Sequence, residues 1–318
     1  MTIQILLLLA GLALVVLGAD WLVDGASSIA RKTGLSEFVI GLTIVGFGTS
    51  CPELVVSLTG AFEGNADVAI GNVVGSNIFN TLLILGLTAV LVPVGITKEN
   101  KTTDIPIMVG VTLLLILCGM SHTLLGLGKA DMLTRIEGAV FLTVFVLYLW
   151  HCFRSNTGVV EGEEGKRRSV PVSTVLVLAG LAGLIFGGKL FVNSATGIAQ
   201  MLGVSDKFIA ITILAGGTSL PELATSVVAA LKGKGQLALG NILGSNVFNI
   251  LLILGLSSIV CPLSFASMNL VDMGILLLSA LLVLLSAFSF RKNSMDRADG
   301  AILLLCYAGY LFWLFRNM

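Results

Sequence analysis

The chain has 318 residues, of which 56% are hydrophobic and only 11% charged, with a mean hydropathy of +1.02. That excludes a soluble globular domain, which carries about 25% charge. The formal net charge of zero gives no pull toward nucleic acid or any other strongly charged partner, and the five scattered cysteines, without CxxC spacing, read as small apolar packers.

Spanning the hydrocarbon takes about 20 apolar residues per helix, so the chain has room for about ten spans. The first apolar run, 3–25, has no Lys or Arg ahead of it. Its segment Gly11 to Val23 aligns at an offset of 169 residues with the internal segment Gly180 to Val192, so it is expected to stay as a helix and not to be a cleaved signal. Further spans are expected at 36–62, 67–91, 104–121 and 131–152, the last closing on Tyr148 and Trp150 as interface aromatics. The polar stretch from Arg154 to Ser169 joins two halves, and spans at 172–196, 205–231, 236–260, 269–290 and 298–316 repeat the pattern. The division is therefore a first repeat over 1–153, a linker over 154–170 and a second repeat over 171–318.

Most basic residues fall in loops of one face, among them Arg31, Lys32, Lys98, Lys101, Arg154, Lys232 and Lys234, and that face is expected to be cytoplasmic, with both termini outside. An odd number of spans per repeat makes the second copy enter the bilayer the opposite way. The fold class is thus an all-α polytopic membrane protein of ten transmembrane helices in two inverted five-helix repeats. Such architecture is typical of secondary transporters, with the site near the midplane.

Two stretches anchor the duplication. Thr49-Ser50-Cys51-Pro52-Glu53 returns as Thr218-Ser219-Leu220-Pro221-Glu222, and from Thr49 to Leu87 the copies are identical at 22 of 39 positions. A carboxylate at the bilayer centre costs about 2.5 to 3.5 kcal/mol on insertion scales, so Glu53 and Glu222 need compensation from the protein interior. Neither has a basic neighbour in sequence. Lys189 aligns with Asp20 and inverted topology sends the two to opposite faces, so both are expected to snorkel to the headgroups. A bound cation is the partner left for two carboxylates that symmetry brings together.

Pro52 and Pro221 lack the N–H that would bond the carbonyls of Gly48 and Gly217, so the helices should break there. Broken helices at membrane depth offer carbonyl oxygens to cations, here from Thr49 and Thr218. Helical spacing places Gly46, Thr49, Ser50, Glu53 and Ser57 on one face, as it does Ala215, Thr218, Ser219, Glu222 and Ser226. Asn72, Ser76 and Asn80 form another polar stripe, matched by Asn241, Ser245 and Asn249. Asn72 and Asn241 either touch an ion or glue helices, and Gly71, Gly75, Gly240 and Gly244 are expected to permit close packing. Glu37, Glu63, Asp67 and Asp206 lie at span ends as solvated groups, and Glu137 and Asp299 are expected to serve helix starts. An all-oxygen pocket suits Ca²⁺, which takes 6 to 8 oxygens, while the absence of His and Cys from the motifs argues against zinc, copper and iron. Occupancy of the same carboxylates by Ca²⁺ or by Na⁺ is mutually exclusive, which is enough to couple two fluxes.

GTSCPE and GTSLPE, followed by GNVVGSNIFN and GNILGSNVFN, closely resemble the paired alpha repeats of the cation/Ca²⁺ exchanger superfamily, on the bacterial and archaeal sodium/calcium exchanger side. The resemblance covers essentially the whole chain. It implies an antiporter of the plasma (inner) membrane that exports Ca²⁺ against Na⁺ by alternating access. Glu53, Glu222 and the carbonyls of Thr49 and Thr218 would hold Ca²⁺. Ser50, Ser219, Ser76 and Ser245 would help to hold Na⁺, with backbone from Gly46 and Ala215. It also implies that the first and sixth helices, 3–25 and 172–196, slide against the other eight. One departure is Asn249 opposite Asn80, where several relatives carry Asp; a third carboxylate is missing, which disfavours a potassium-dependent exchanger. Proton/calcium exchange is the alternative and a cation channel the reading from another class. No enzyme is expected, since HExxH is absent. No cofactor, nucleic acid or obligate protein partner is implied beyond the two ions and membrane lipid.

Overall fold

The computed structural model describes residues 1–155, 168–202, 215–288 and 293–316. Among these the chain is all-helical apart from four two-residue strands. Helix α1 is Thr2–Thr33, α2 is Glu37–Thr49, α3 is Cys51–Phe62 and α4 is Ala66–Leu91. Then come α5 (Asn100–Gly119), the short α6 (Ser121–Leu125), α7 (Arg135–Ser155), α8 (Val170–Met201), a single turn α9 (Ala215–Gly217) and α10 (Leu220–Leu231). The last are α11 (Gly235–Val260), α12 (Leu270–Phe288) and α13 (Arg297–Arg316).

Eight helices among the described residues are long and apolar enough to cross a membrane, and α2 with α3 makes a ninth span bent by 49°. The expected span 205–231, the counterpart of that bent pair, falls in part on 203–214, outside the described residues, as do most of the linker and Asp206. This is an all-helical polytopic membrane fold.

The chain forms two compact units, each drawing on both halves of the sequence. The first comprises Met1–Pro52 and Phe153–Asn241. Its frame is the pair α1 and α8, and small residues decide how they meet. A Cβ added at Gly18 would lie 2.8 Å from the carbonyl oxygen of Gly180, and one at Gly180 would lie 2.6 Å from the nitrogen of Leu22. Only hydrogen fits there, so the two backbones touch, the packing that membrane helices use in place of a hydrophobic drive. Ser173 Oγ donates to Ser28 Oγ at 2.9 Å across the same seam. The outward faces of the pair, with Ile3, Leu6, Leu9, Val175, Leu178 and Phe186, are exposed and apolar. In the same unit Gly240 is pressed on the carbonyl of Phe38, which a Cβ would approach to 2.2 Å. Gly71 and Gly75, by contrast, meet nothing within 4 Å among the described residues, so the close packing expected of them is not what they provide.

The second unit comprises Glu53–Cys152 and Ile242–Met318. Strand β1 (Val94–Gly95) pairs antiparallel with β4 (Ser294–Met295), and β2 (Met132–Leu133) with β3 (Leu263–Ser264). Val94 and Leu263 are 169 residues apart, so β1 and β3 hold equivalent places and each half of the sequence lends a strand to the other. α4 and α13 meet at Gly86 and Gly300, where a Cβ on Gly300 would come within 2.6 Å of the Gly86 carbonyl oxygen. Glu137 and Asp299 serve helix starts as expected: Glu137 Oε2 accepts from the nitrogen of Thr134 at 2.7 Å, and Asp299 Oδ2 from that of Asp296 at 3.0 Å, each a capping-box contact. Tyr148 departs from expectation, being buried, whereas Trp150 is exposed as an interface aromatic would be. The five cysteines are free thiols.

Candidate functional site

The break expected at Pro52 is present. Helix α2 ends at Thr49, Ser50 takes φ −82° and ψ 6°, and α3 leaves at 49°. Ser219 has nearly the same backbone, φ −90° and ψ 9°, ahead of α10. The proline of each motif removes an N–H from the helix ladder, and the chain turns where that bond is missing.

In the first unit this break gathers five predicted residues: Gly46, Thr49, Ser50, Glu222 and Asn241. Ser50 Oγ donates to Glu222 Oε1 at 2.9 Å. Thr49 Oγ1 donates to Asn241 Oδ1 at 3.2 Å and also reaches the carbonyl of Gly46 at 3.4 Å. That carbonyl accepts from the nitrogen of Ser50 at 3.1 Å as well. Asn241 uses its amide nitrogen to hold α10, donating to Ser226 Oγ at 2.9 Å and to the carbonyl of Glu222 at 3.4 Å. Thr49, Glu222, Ser219, Ser226 and Asn241 are all fully buried. Thr218 stands in the turn, with its hydroxyl buried and lacking a partner among the described residues. Ala215 opens α9.

The second unit repeats the brace. Asn72 Nδ2 donates to Ser57 Oγ at 2.9 Å and to the carbonyl of Glu53 at 3.1 Å, and Glu53 is fully buried. Asn72 and Asn241 therefore act first as struts: their amide nitrogens hold the main chain that carries each glutamate. The sequence left that role open, although the spacings of 15 and 19 residues between strut and partners recur in both copies.

A further network surrounds Asn80 and Asn249. Each lies in a wide π-type turn, Phe79–Leu85 and Phe248–Leu254, a distortion that membrane and soluble proteins place at functional positions. Asn80 Nδ2 donates to Asn246 Oδ1 at 3.2 Å, and Asn249 Nδ2 to Asn77 Oδ1 at 2.9 Å. Asn77 also donates to the Asn246 carbonyl at 3.1 Å, and Asn246 to Thr81 Oγ1 at 2.7 Å. The amide oxygens of Asn80 and Asn249 are buried and accept nothing among the described residues. Each nitrogen donates one hydrogen within the network, and the amide oxygen beside it stays open as an acceptor that a cation or a water could use. Ser76 on α4 and Ser245 on α11 are buried too, and the Ser245 hydroxyl has no partner among the described residues. Asn77 and Asn246 were missed by the sequence reading; one residue after a predicted serine in each copy, they lie off the stripe that helical spacing picks out.

No group of three or more His, Cys, Asp or Glu able to hold a metal occurs among the described residues. Carboxylates, hydroxyls, amide oxygens and carbonyls make up this donor set, suiting hard cations. Asp20, expected to snorkel, also gains an ion pair: its Oδ1 lies 2.6 Å from Lys232 Nζ, because the turn after α10 brings a cation to it. Glu37 likewise pairs with Lys234 at 3.2 Å, and Asp67 accepts from Ser267 at 2.6 Å.

Known proteins match this geometry along its whole length. The family model described as sodium/calcium exchanger protein matches residues 3–154 and 172–316. The putative antiporter CaxA of Alkalimonas amylolytica is 40% identical, covering 100% of both chains. The sodium/calcium exchanger MaX1 of Methanosarcina acetivorans is 34% identical over 99% of both. The structure of the sodium-calcium exchanger NCX_Mj soaked with Na⁺ and Ca²⁺ superposes with a TM-score of 0.84 at 33% identity, over 97% of each chain. The chain belongs to the sodium/calcium exchanger protein family.

Proposed function

We propose that the chain is a secondary-active antiporter that exports Ca²⁺ in exchange for Na⁺, with Glu53 and Glu222 as the carboxylates both ions require. Membership of an exchanger family supports cation/Ca²⁺ exchange. The observation that carries the finer reading is the treatment of the two glutamates. Each is fully buried beside a broken helix, and each has its own carbonyl held by an asparagine. Burying two carboxylates in a membrane helix bundle is costly unless a cation repays it. Ser50 donates its one proton to Glu222, which leaves its lone pairs directed elsewhere. Hydroxyl and carboxylate can then share one ion.

Thr49, Thr218, Gly46 and Ala215 supply main-chain oxygens in this reading, and Ser76, Ser219, Ser245, Asn80 and Asn249 the remaining donors. The surrounding architecture is ten transmembrane helices as two inverted five-helix repeats, divided at 1–153, 154–170 and 171–318, with both termini outside. The reciprocal strand pairings and the repeated asparagine struts support it.

Uptake of labelled Ca²⁺ into reconstituted vesicles tests the coupling. A Na⁺ gradient should drive it with a protonophore clamping pH, while competition by H⁺ and K⁺ is read in parallel. Flux that follows pH and ignores Na⁺ would replace this reading with proton/calcium exchange, and single-channel current steps would replace it with a pore.

A further inference from the structure

Four asparagines of the second unit, Asn77 and Asn80 on α4 with Asn246 and Asn249 on α11, form one hydrogen-bonded group with Thr81 and with Met108 of α5. All six residues are buried. The offset of 169 residues pairs Asn77 with Asn246 and Asn80 with Asn249. One bond occurs twice with the copies exchanged: Asn80 Nδ2 donates to Asn246 Oδ1 at 3.2 Å, and Asn249 Nδ2 to Asn77 Oδ1 at 2.9 Å. Asn80 and Asn249 keep the open oxygens, while Asn77 and Asn246 fix the nitrogens beside them.

An amide oxygen accepts and cannot donate, and that decides which way each of these side chains turns. Asn77 Nδ2 donates to the Asn246 carbonyl at 3.1 Å. A turned-over Asn77 would set its oxygen against that carbonyl, two acceptors with no proton between them. Main chain therefore fixes Asn77, its oxygen receives Asn249 Nδ2, and the Asn249 oxygen is left open. Symmetry would send Asn246 Nδ2 to the Asn77 carbonyl. It goes instead to Thr81 Oγ1 at 2.7 Å and reaches Met108 Sδ at 3.8 Å. The equivalent of Thr81 is Ile250, which has no polar side-chain atom, so the acceptor belongs to the first copy. A hydroxyl both donates and accepts, and Thr81 would serve a turned-over Asn246 as well; the Met108 sulfur, a weak acceptor, is what favours the nitrogen. The hold on Asn80 is thus softer than the hold on Asn249.

We infer that Asn77 and Asn246 are positioning residues, which keep the amides of Asn249 and Asn80 turned so that their oxygens stay available to the transported ion. Asn77 acts through main chain and Asn246 through Thr81 and Met108. This rests on the antiport reading, in which Asn80 and Asn249 are ion donors. Neither positioning residue need touch an ion. A wrongly turned amide would present N–H groups to a cation, a repulsive contact in place of an attractive one. Groups that orient ligands in this way act on ion affinity and not on folding alone.

Titrations with Ca²⁺ and with Na⁺, followed by thermal stabilisation of the purified full chain in detergent, test this without reading any flux. Asn77→Leu removes the oxygen that fixes Asn249 and should weaken the apparent affinity for at least one of the two ions about tenfold. Added to Asn249→Leu, the same substitution should weaken it no further, because its effect passes through that amide. Thr81→Val keeps the shape and removes the hydroxyl; it should weaken affinity several-fold, and Thr81→Ser should restore it. The Thr81 pair decides the matter if the asparagine variants do not fold. A lower melting temperature in Asn77→Leu with parental affinity for both ions, a full further loss on top of Asn249→Leu, or equal affinities in the two Thr81 variants would overturn the proposal. If only the antiport reading were wrong, these affinity changes would persist while the parent protein showed no Na⁺-driven Ca²⁺ uptake.

Discussion

The hydroxyl of Ser50 donates to Oε1 of Glu222 at 2.9 Å, joining the break in one motif to the carboxylate of the other across 172 residues of sequence. Glu222→Gln keeps the shape of the side chain and removes its charge. We expect it, and Glu53→Gln, to abolish Na⁺-driven Ca²⁺ uptake while the purified proteins remain folded. Retention of uptake in either variant would remove that glutamate from the site.

Ser50→Ala leaves Glu222 charged and deprives it of a charge-assisted hydrogen bond, a contact worth about 1.5 to 3 kcal/mol. The apparent affinity for the transported ions should fall about 10- to 100-fold, with the maximal rate less affected. Concentration dependence of vesicle uptake gives both numbers. An unchanged affinity would make the bond purely structural.

Asn241→Leu strands the Ser226 hydroxyl and the Glu222 carbonyl, both buried, and unfastens Thr49. Unsatisfied buried groups cost about 1 to 3 kcal/mol each, so the melting temperature should drop clearly, and Asn72→Leu should do the same in the other copy. Differential scanning fluorimetry in detergent measures this. If Asn241 instead served only as an ion ligand, stability without Na⁺ and Ca²⁺ would be unchanged.

Asn249→Asp exchanges a donor for an acceptor opposite Asn77 Oδ1, which now accepts at 2.9 Å. A carboxylate cannot donate, so that bond is lost and two acceptors are left facing each other. Thermal melts in the absence of ions should therefore show the variant destabilised relative to the parent. Added Ca²⁺ should reverse the loss if the carboxylate reaches the ion.

Gly18→Leu and Gly180→Leu place side chains where even a Cβ comes within 2.8 and 2.6 Å of backbone on the facing helix. Neither backbone can yield without parting α1 from α8. Both variants should lose most of their folded yield on size-exclusion chromatography, whereas substitution at Gly188, where a Cβ meets nothing within 4 Å, should be tolerated.

Much of this molecule was legible from its residues. Hydropathy fixed the membrane class because twenty apolar residues in a row have no other stable home. The repeated TSxPE runs marked the broken helix, since a proline deletes its ladder bond whatever surrounds it. The capping roles of Glu137 and Asp299 could be read for the same reason, their partners being three residues away. Partners chosen across the chain could not. Helical spacing tells which side chains share a face, not which face meets which. That Ser50 serves Glu222, that Asn77 and Asn246 lie inside a polar network, and that Asp20 meets Lys232 are matters of how helices distant in sequence are set against one another. The order of residues determined which groups this protein would carry into the membrane. The close approach of glycine-lined helices and the turns after them decided which of those groups satisfy each other and which buried acceptors, among the described residues, take no hydrogen bond.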